Sequence, residues 1–259
     1  APLDETTLGA LHPARALPAG LGDAEAALRL KYVGEKKVPQ LRWVLHQLHA
    51  LMRARARAGA PVRRVVDLGC GRADLSLLLA RLHPPVRVLA LDSNEAAVAD
   101  ARARAAAAGL DNVRFACGDA ARLLPPRRGV DLVVALHACG GLSDVALRFA
   151  ARCAASALVV SCCWNKHRRL CPPARWGVTP RAKEVLCRLA ESSEPRACRP
   201  AREAVCSLRL RALERDVARA GCTARMEIKL FPEEYSKQNW VLCAAVDPRR
   251  AECEPCESG

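Results

Sequence analysis

Five stretches of the chain carry residue types that could bind a ligand or react with one. Val65-Val66-Asp67-Leu68-Gly69-Cys70-Gly71 reads as a β-branched run that ends in a glycine turn. Such a turn brings backbone N–H groups and a surface without Cβ atoms against a ligand at the edge of a sheet. Dinucleotide sites use a related turn, G-x-G-x-x-G, with a helix N-terminus aimed at pyrophosphate. Here Asp74 stands where the third glycine of that pattern would be, and an acid at the start of a helix repels phosphate. Asp67 suits instead a cationic ligand that carries an amino-acid group.

Two further acids follow at expected strand ends. Asp92, with Ser93 behind it, lies 25 residues after Asp67, where a carboxylate accepts hydrogen bonds from both hydroxyls of a ribose. In Cys117-Gly118-Asp119-Ala120, Asp119 is placed to meet an adenine amino group. Each acid alone has a plainer role: Asp67 can cap a turn, and Asp92 can cap the helix that starts at Glu95. In this order and spacing they describe a nucleoside site with an amino-acid tail, and hence S-adenosyl-L-methionine (SAM). The expected contacts are Asp67, Gly69, Cys70, Gly71, Asp92, Ser93, Asp119, Ala120 and Leu136.

The remaining two stretches are Leu136-His137-Ala138-Cys139-Gly140-Gly141-Leu142-Ser143-Asp144 and Val160-Ser161-Cys162-Cys163-Trp164-Asn165-Lys166-His167. In an open parallel sheet both would overhang the same crevice as the cofactor, which makes His137, Cys139, Cys162 and Cys163 the candidate catalytic residues. His137 could remove a proton from a hydroxyl or an amine during in-line methyl transfer, or simply hydrogen-bond the sheet end. Cys162 or Cys163 could attack a pyrimidine ring as a thiolate, although that chemistry also needs an acid beside the strand-four cysteine, and His137-Ala138-Cys139 has none. His137, Cys139, Cys162, Cys163, His167 and Cys171 are also zinc-ligand types. Adjacent cysteines of an extended chain point to opposite sides, so no metal is expected and the thiols read as buried structural groups. Cys253-x-x-Cys256 has zinc-like spacing without a second pair nearby and reads as part of a loose end. No Asn/Asp-Pro-Pro-aromatic tetrapeptide ends the fourth strand, which disfavours methylation of an exocyclic base amine or a glutamine amide by that arrangement.

These residues need a scaffold, and the hydrophobic pattern supplies one. Leu41, Val44, Leu45, Leu48, Leu51 and Met52 follow the period of an amphipathic helix after Pro39. Strands are expected over 64–68, 86–91, 113–116, 132–136 and 157–160, alternating with helices over 74–82, 95–108 and 143–155. A helix over 203–220 stops at Gly221, and strands over 224–230 and 239–246 are joined too closely for a crossover helix, so they pair antiparallel. The expected fold class is α/β, a class I (Rossmann-like) architecture with a largely parallel seven-stranded sheet ending in an antiparallel hairpin. Residues 1–22 read as a flexible arm, 23–247 as one domain with a basic insertion over 165–202, and 248–259 as a flexible tail.

Composition bounds the setting. The 259 residues suffice for one substantial core, and no apolar run approaches the roughly 20 residues that span a bilayer. The 14 cysteines lack a regular framework, which suggests reduced thiols and a cytoplasmic location, with nucleus or organelle left open. The net charge of +14 favours a polyanionic partner such as RNA, although only 7 of the 41 basic residues are lysine, as a GC-rich genome would also produce. From Lys166 to Arg202 there are ten basic and three acidic residues, and Trp164 and Trp176 there offer stacking surfaces for bases.

Taken together, His137-x-Cys139-Gly140-x-x-Ser143-Asp144, the Cys162-Cys163 pair, the lysine-rich helix from Lys31 to Trp43 and Phe231-Pro232-x-x-Tyr235-Ser236-x-x-Asn239 carry a resemblance. They resemble the methyltransferase-domain family that includes the tRNA acceptor-stem 2′-O-methyltransferase and the methyltransferase domain of glutathione S-transferase C-terminal domain-containing protein. The chain departs from that family at Arg72-Ala73, where Lys-Gly is usual, at Gly141-Leu142, and beyond Trp164, where the tRNA enzyme's histidine-rich continuation is missing. The resemblance implies SAM as cofactor and methyl transfer as the reaction; RNA is the leading acceptor, ahead of a protein or a small molecule. An inactive interaction module of the same fold is the remaining alternative.

Overall fold

A computed structural model describes residue 11 and residues 22–123, 129–166 and 168–247. The expected tail, its Cys253-x-x-Cys256, His167 and nearly all of the expected N-terminal arm lie outside the described residues. Leu11 is the exception: it is buried, and its carbonyl accepts a hydrogen bond from Arg104 at 3.3 Å.

The chain begins with α1 (Asp23–Tyr32), which runs through a π-helical turn (Val33–Lys37) into α2 (Val38–Arg57). α1 buries none of its residues, whereas α2 buries Val38, Leu41, Val44, Leu45 and Leu48, the face its periodicity requires. The alternating body follows: β1 (Arg64–Leu68), α3 (Asp74–Leu82), β2 (Arg87–Asp92), α4 (Glu95–Ala107), β3 (Val113–Cys117), a short 3-10 turn (Ala120–Arg122), β4 (Leu132–Cys139), α5 (Leu142–Arg152) and β5 (Ser156–Cys162). After a second 3-10 turn (Arg168–Leu170) come α6 (Pro173–Trp176), α7 (Pro180–Ala190), α8 (Pro195–Arg219), β6 (Thr223–Leu230) and β7 (Trp240–Asp247).

The seven strands form one sheet in the order β3-β2-β1-β4-β5-β7-β6. β1 to β5 are parallel, and β7 runs antiparallel to both β5 and β6. This is the expected α/β class. Strand order reverses between β1 and β4, and in open α/β sheets that reversal opens the ligand crevice at the carboxyl ends of the strands. Successive strand residues feed two apolar layers: Val66, Leu68, Val133 and Val159 face α5 and α8, while Val65, Leu132, Val134 and Val160 face α2, α3 and α4.

Three features depart from the sequence reading. β4 runs on through His137-Ala138-Cys139, with a register shift between Ala135 and Ala138 and a left-handed φ of 59° at His137. A bulge of this kind re-aims a side chain at a sheet end without ending the strand. α8 starts at Pro195, not near Glu203, and holds Pro200 inside it. Prolines suit a helix start, and the burial of Cys198, Ala201, Val205 and Cys206 along this stretch offsets the hydrogen bond that Pro200 forgoes. Finally, the basic segment 165–202 is largely helical and packs as α6, α7 and the first turns of α8. The described cysteines form no disulfide, and no described helix is long and apolar enough to cross a membrane.

Candidate functional site

A cavity of about 310 Å³ opens at the carboxyl ends of β1, β2 and β3, lined by Gly69, Leu91, Asp92, Ser93, Gly118, Asp119, Ala120, Leu142, Arg169 and Leu170. Small-ligand sites span roughly 300–1,000 Å³, so its size suits a nucleoside. The backbone that shapes it is left-handed at Gly69, Gly71 and Ala73 (φ 76°, 54° and 57°). The N–H groups of Gly69 and Cys70 both bond Leu91 O, at 2.8 and 3.0 Å, which pins the turn to β2. A Cβ on Gly69 would stand 3.0 Å from Leu142 Cδ2, whose side chain closes the cavity wall.

Of the nine expected cofactor residues, Gly69, Asp92, Ser93, Asp119 and Ala120 line the cavity. Asp92 Oδ2 accepts from Gly71 N at 2.7 Å and Oδ1 from Asn94 N at 2.9 Å, so the acid braces the glycine turn. A carboxylate has about four acceptor positions, which leaves two for ribose hydroxyls. Asp119 caps the 3-10 turn through Ala121 N at 2.9 Å, and its side chain is about half exposed beside the cavity.

Asp67 lies behind the turn, fully buried, with Oδ2 accepting from Ser76 Oγ at 2.6 Å and Oδ1 without a partner among the described residues. Burial, reinforced by the charge of Asp92 and opposed by the Ser76 hydrogen bond, raises its pKa to about 7. A buried acid with one free oxygen fits a cationic ammonium group. Gly71 acts through Asp92, while Cys70 and Leu136 pack into the apolar layer under α2 and α3 instead of lining the cavity. Asp74, read as a group that repels phosphate, is buried in the first turn of α3 and ion-paired with Lys37 and with Arg104 at 2.8 Å.

Leu91, Gly118, Leu142, Arg169 and Leu170 line the cavity but were not expected there. Leu91 and Gly118 directly precede expected acids, and Arg169 and Leu170 come from the basic segment, which was expected only as an insertion.

At the ends of β4 and β5 the four expected catalytic residues separate into two groups. His137 Nε2 sits 2.8 Å from Gln40 Oε1, while Gln40 Nε2 donates to Tyr235 O at 2.7 Å. The second bond orients the amide, so Gln40 presents an acceptor and His137 carries its proton on Nε2, leaving Nδ1 as the basic nitrogen. Burial and then the charge of Lys37 lower the His137 pKa, which keeps the ring neutral at physiological pH.

Cys139, Cys162 and Cys163 form the second group, with sulfurs within 4.8 Å of one another and Cys139 Sγ to Cys162 Sγ at 3.4 Å. The expectation that adjacent cysteines diverge fails here because Cys163 is not extended: its φ is 48°. Hydrogen bonding to Cys139, then burial, push the Cys162 thiol far above its usual range, and burial chiefly raises that of Cys163. Neither is poised as a thiolate nucleophile for attack on a pyrimidine.

Ser143 and Asp144 have a scaffolding role. The fully buried Arg209 of α8 donates to Asp144 Oδ2 at 3.0 Å, Ser161 Oγ at 2.8 Å and Gly140 O at 2.6 Å. Ser143 Oγ bonds Ala138 O at 2.6 Å and Ser161 Oγ at 2.9 Å. Trp176 Nε1 donates to Asp144 Oδ1 at 2.7 Å, and the Arg209 guanidinium lies over both Trp164 and Trp176, 5.6 and 5.5 Å from the ring centroids. Both indoles are buried, so the expectation that they stack on bases is corrected: they clad an arginine.

The basic segment is likewise partly consumed. Lys183 is buried and donates to Arg168 O at 2.8 Å and to Cys171 O; Arg175 pairs with Asp216 at 2.6 Å and Arg188 with Glu184 at 2.8 Å. Lys166, Arg168 and Arg169 are exposed, and Arg169 reaches the cavity wall.

The family described as "Methyltransferase domain" matches residues 36–169, just over half of the chain. Trans-aconitate 2-methyltransferase of Variovorax paradoxus is 38% identical over 81 residues, 31% of this chain and 29% of that protein. Glutathione S-transferase C-terminal domain-containing protein of Homo sapiens is 27% identical over 120 residues, 46% of this chain and 18% of that protein. The chain thus spans less than a third of either relative. A SAM dependent methyltransferase from Aquifex aeolicus superposes over 71% of this chain and 81% of its own, with 18% identity and a TM-score of 0.42.

Proposed function

The chain belongs to the methyltransferase domain family, and we propose that it transfers a methyl group from S-adenosylmethionine to RNA. The cofactor supplies an electrophilic methyl group on a positively charged sulfur. The residues fit it part by part: the two spare acceptor positions of Asp92 suit a ribose, Asp119 an adenine amine, Leu91, Ala120 and Leu142 its ring, and the free Oδ1 of Asp67 an ammonium group. On the acceptor side, His137 takes a proton at Nδ1 while Nε2–H stays bonded to Gln40, which fixes the ring. A ring kept neutral by burial is the form that can do this.

One observation carries the choice of acceptor: Lys166 and Arg169 make an exposed cationic lip beside Arg168, which pairs with Glu184 at 3.6 Å, and Arg169 belongs to the cavity wall. With a net charge of +14, phosphate is the anion such a lip best draws in. A small polycarboxylic acid is the second reading, favoured by the trans-aconitate 2-methyltransferase relatives, because the same lip would hold a carboxylate.

The test uses purified protein and SAM labelled in the methyl group, offered separately to total RNA, total protein and trans-aconitate. Label in RNA that nuclease releases is the expected result. Label in trans-aconitate alone selects the second reading, and label that only protease releases overturns both. By calorimetry, Asp92→Ala should weaken SAM binding on the order of 100-fold, the worth of one to two hydrogen bonds to a charged group. SAM binding unchanged in that variant would refute the cofactor site.

A further inference from the structure

Backbone features at the ends of β4 and β5 bring three thiols together. β4 and β5 are in register there, Cys139 against Cys162, so these two side chains leave the same face of the sheet. The left-handed turn at Cys163 then folds the third cysteine back toward them. That turn is tied down: Lys166 N bonds Cys163 O at 2.9 Å, Gly141 N bonds Lys166 O at 3.1 Å and Gly140 N bonds Cys162 O at 2.7 Å. Gly140, at φ 51°, is what lets the turn close, since a Cβ on it would fall 1.7 Å from Lys166 O. A non-glycine residue held at positive φ costs on the order of 1–3 kcal/mol and persists where the surroundings over-determine it.

Three thiols this close are electrostatically self-defeating as free thiolates, because each anion disfavours the next. A thiophilic cation reverses that, and three sulfurs around one ion with metal–sulfur bonds of about 2.3 Å stand ~3.8 Å apart. The observed sulfurs, one pair at 3.4 Å and all within 4.8 Å, bracket that separation. Cys162 is buried while Cys139 and Cys163 are half-buried, so an ion can enter from one side and would keep a position open there.

We infer that Cys139, Cys162 and Cys163 form a three-thiolate site for a thiophilic d10 cation, zinc(II) or copper(I), with one coordination position left open to solvent or ligand. Binding releases the three thiol protons, so uptake weakens as pH falls. The site does not depend on the methyl-transfer reading.

The test is a titration of the full chain, purified under reducing conditions and stripped of metal, with cobalt(II) as the spectroscopic probe. A thiolate-to-cobalt charge-transfer band that saturates at one equivalent is expected, and zinc(II) and copper(I), added in separate arms, should bleach it. Whichever ion bleaches it at lower concentration identifies the preferred cation. Cys163→Ala should weaken cobalt binding on the order of 100-fold, and the exposed Cys117→Ser should bind like the parent. No charge-transfer band in the folded, reduced parent overturns the proposal. So does an undiminished band in a variant lacking all three cysteines. Because the parent titration can refute the site by itself, misfolding of a variant does not shield it. SAM calorimetry on the same sample reports the cofactor reading separately.

Discussion

The ends of β1 to β3, which line the cavity, and the ends of β4 and β5 are built differently. The first group is backbone chemistry: left-handed turns at Gly69 and Gly71, N–H groups bonded to Leu91 O, and acids that cap the turn after their own strand. Its turn and capping hydrogen bonds span short stretches of chain, 21 residues from Gly71 N to Asp92 Oδ2 and 26 from Gly118 N to Asp92 O. The second group is held by side chains from far away: His137 by Gln40, 97 residues earlier, and Asp144 and Gly140 by Arg209, 65 and 69 residues later. The first edge is made from local turns, whereas the second has its atoms fixed by distant parts of the fold.

The sharpest way to break this contrast is to unseat Arg209. Arg209→Met leaves Asp144 charged, buried and without its cation, which should cost about 4 kcal/mol in chemical denaturation. The damage should concentrate at β4 and β5: hydrogen exchange should rise at 138–144 and 160–166 before it rises at 65–71. Uniform loss of protection would mean that the two edges are one unit.

Next come two glycines of similar φ, one in each region. Gly140→Ala forces a Cβ into Lys166 O and should cost about 3 kcal/mol, while Gly71→Ala meets open space and should cost about 1 kcal/mol of backbone strain. Equal melting shifts for the pair would erase the distinction.

Asp67→Asn should separate stability from binding at the cofactor edge. The carboxyl is raised from 3.8 to about 7, so the folded parent holds a proton that the unfolded chain releases, and stability falls as pH rises through that window. The asparagine variant should lose this slope and be the more stable above pH 7, yet bind SAM roughly tenfold more weakly for want of the anion.

The smallest effect concerns His137, whose pKa lies below its usual 6.5. A neutral base is needed, so kcat/KM should fall as pH drops through that lowered value, giving an acid limb below 6.5. Gln40→Glu places a carboxylate on Nε2 and should move the limb upward. A limb that stays put in that variant would remove His137 from the reaction.

The same contrast explains what is legible in the sequence. The order of strands and helices, the hairpin, the glycine turn and the acids Asp92 and Asp119 follow from periodicity and local spacing, and five of the nine expected cofactor residues line the cavity. The convergence of Cys163 on Cys162 is hidden, because a left-handed residue defeats the alternation from which side-chain direction is read. Trp164 and Trp176 look like exposed aromatics because nothing near them announces Arg209, which arrives from mid-α8 to lie between them. The first turns of that helix escape the periodicity since Pro200 resembles a stop.

The π-helical turn at Val33–Lys37 has a consequence for how related chains should be aligned. A π turn is an α-helix that has gained a residue, and this one ends at Lys37 and precedes Gln40, the two residues that reach Asp74 and His137. Loss of one residue at Gly34 or Glu35 would swing α1 by about 100° around the helix axis and leave Lys37 and Gln40 where they are. Since α1 buries none of its own residues, that rotation exposes no core face of the helix. A one-residue gap there leaves Lys37 and Gln40 in place, so these two are the anchors on which to match distant relatives rather than the spacing ahead of them.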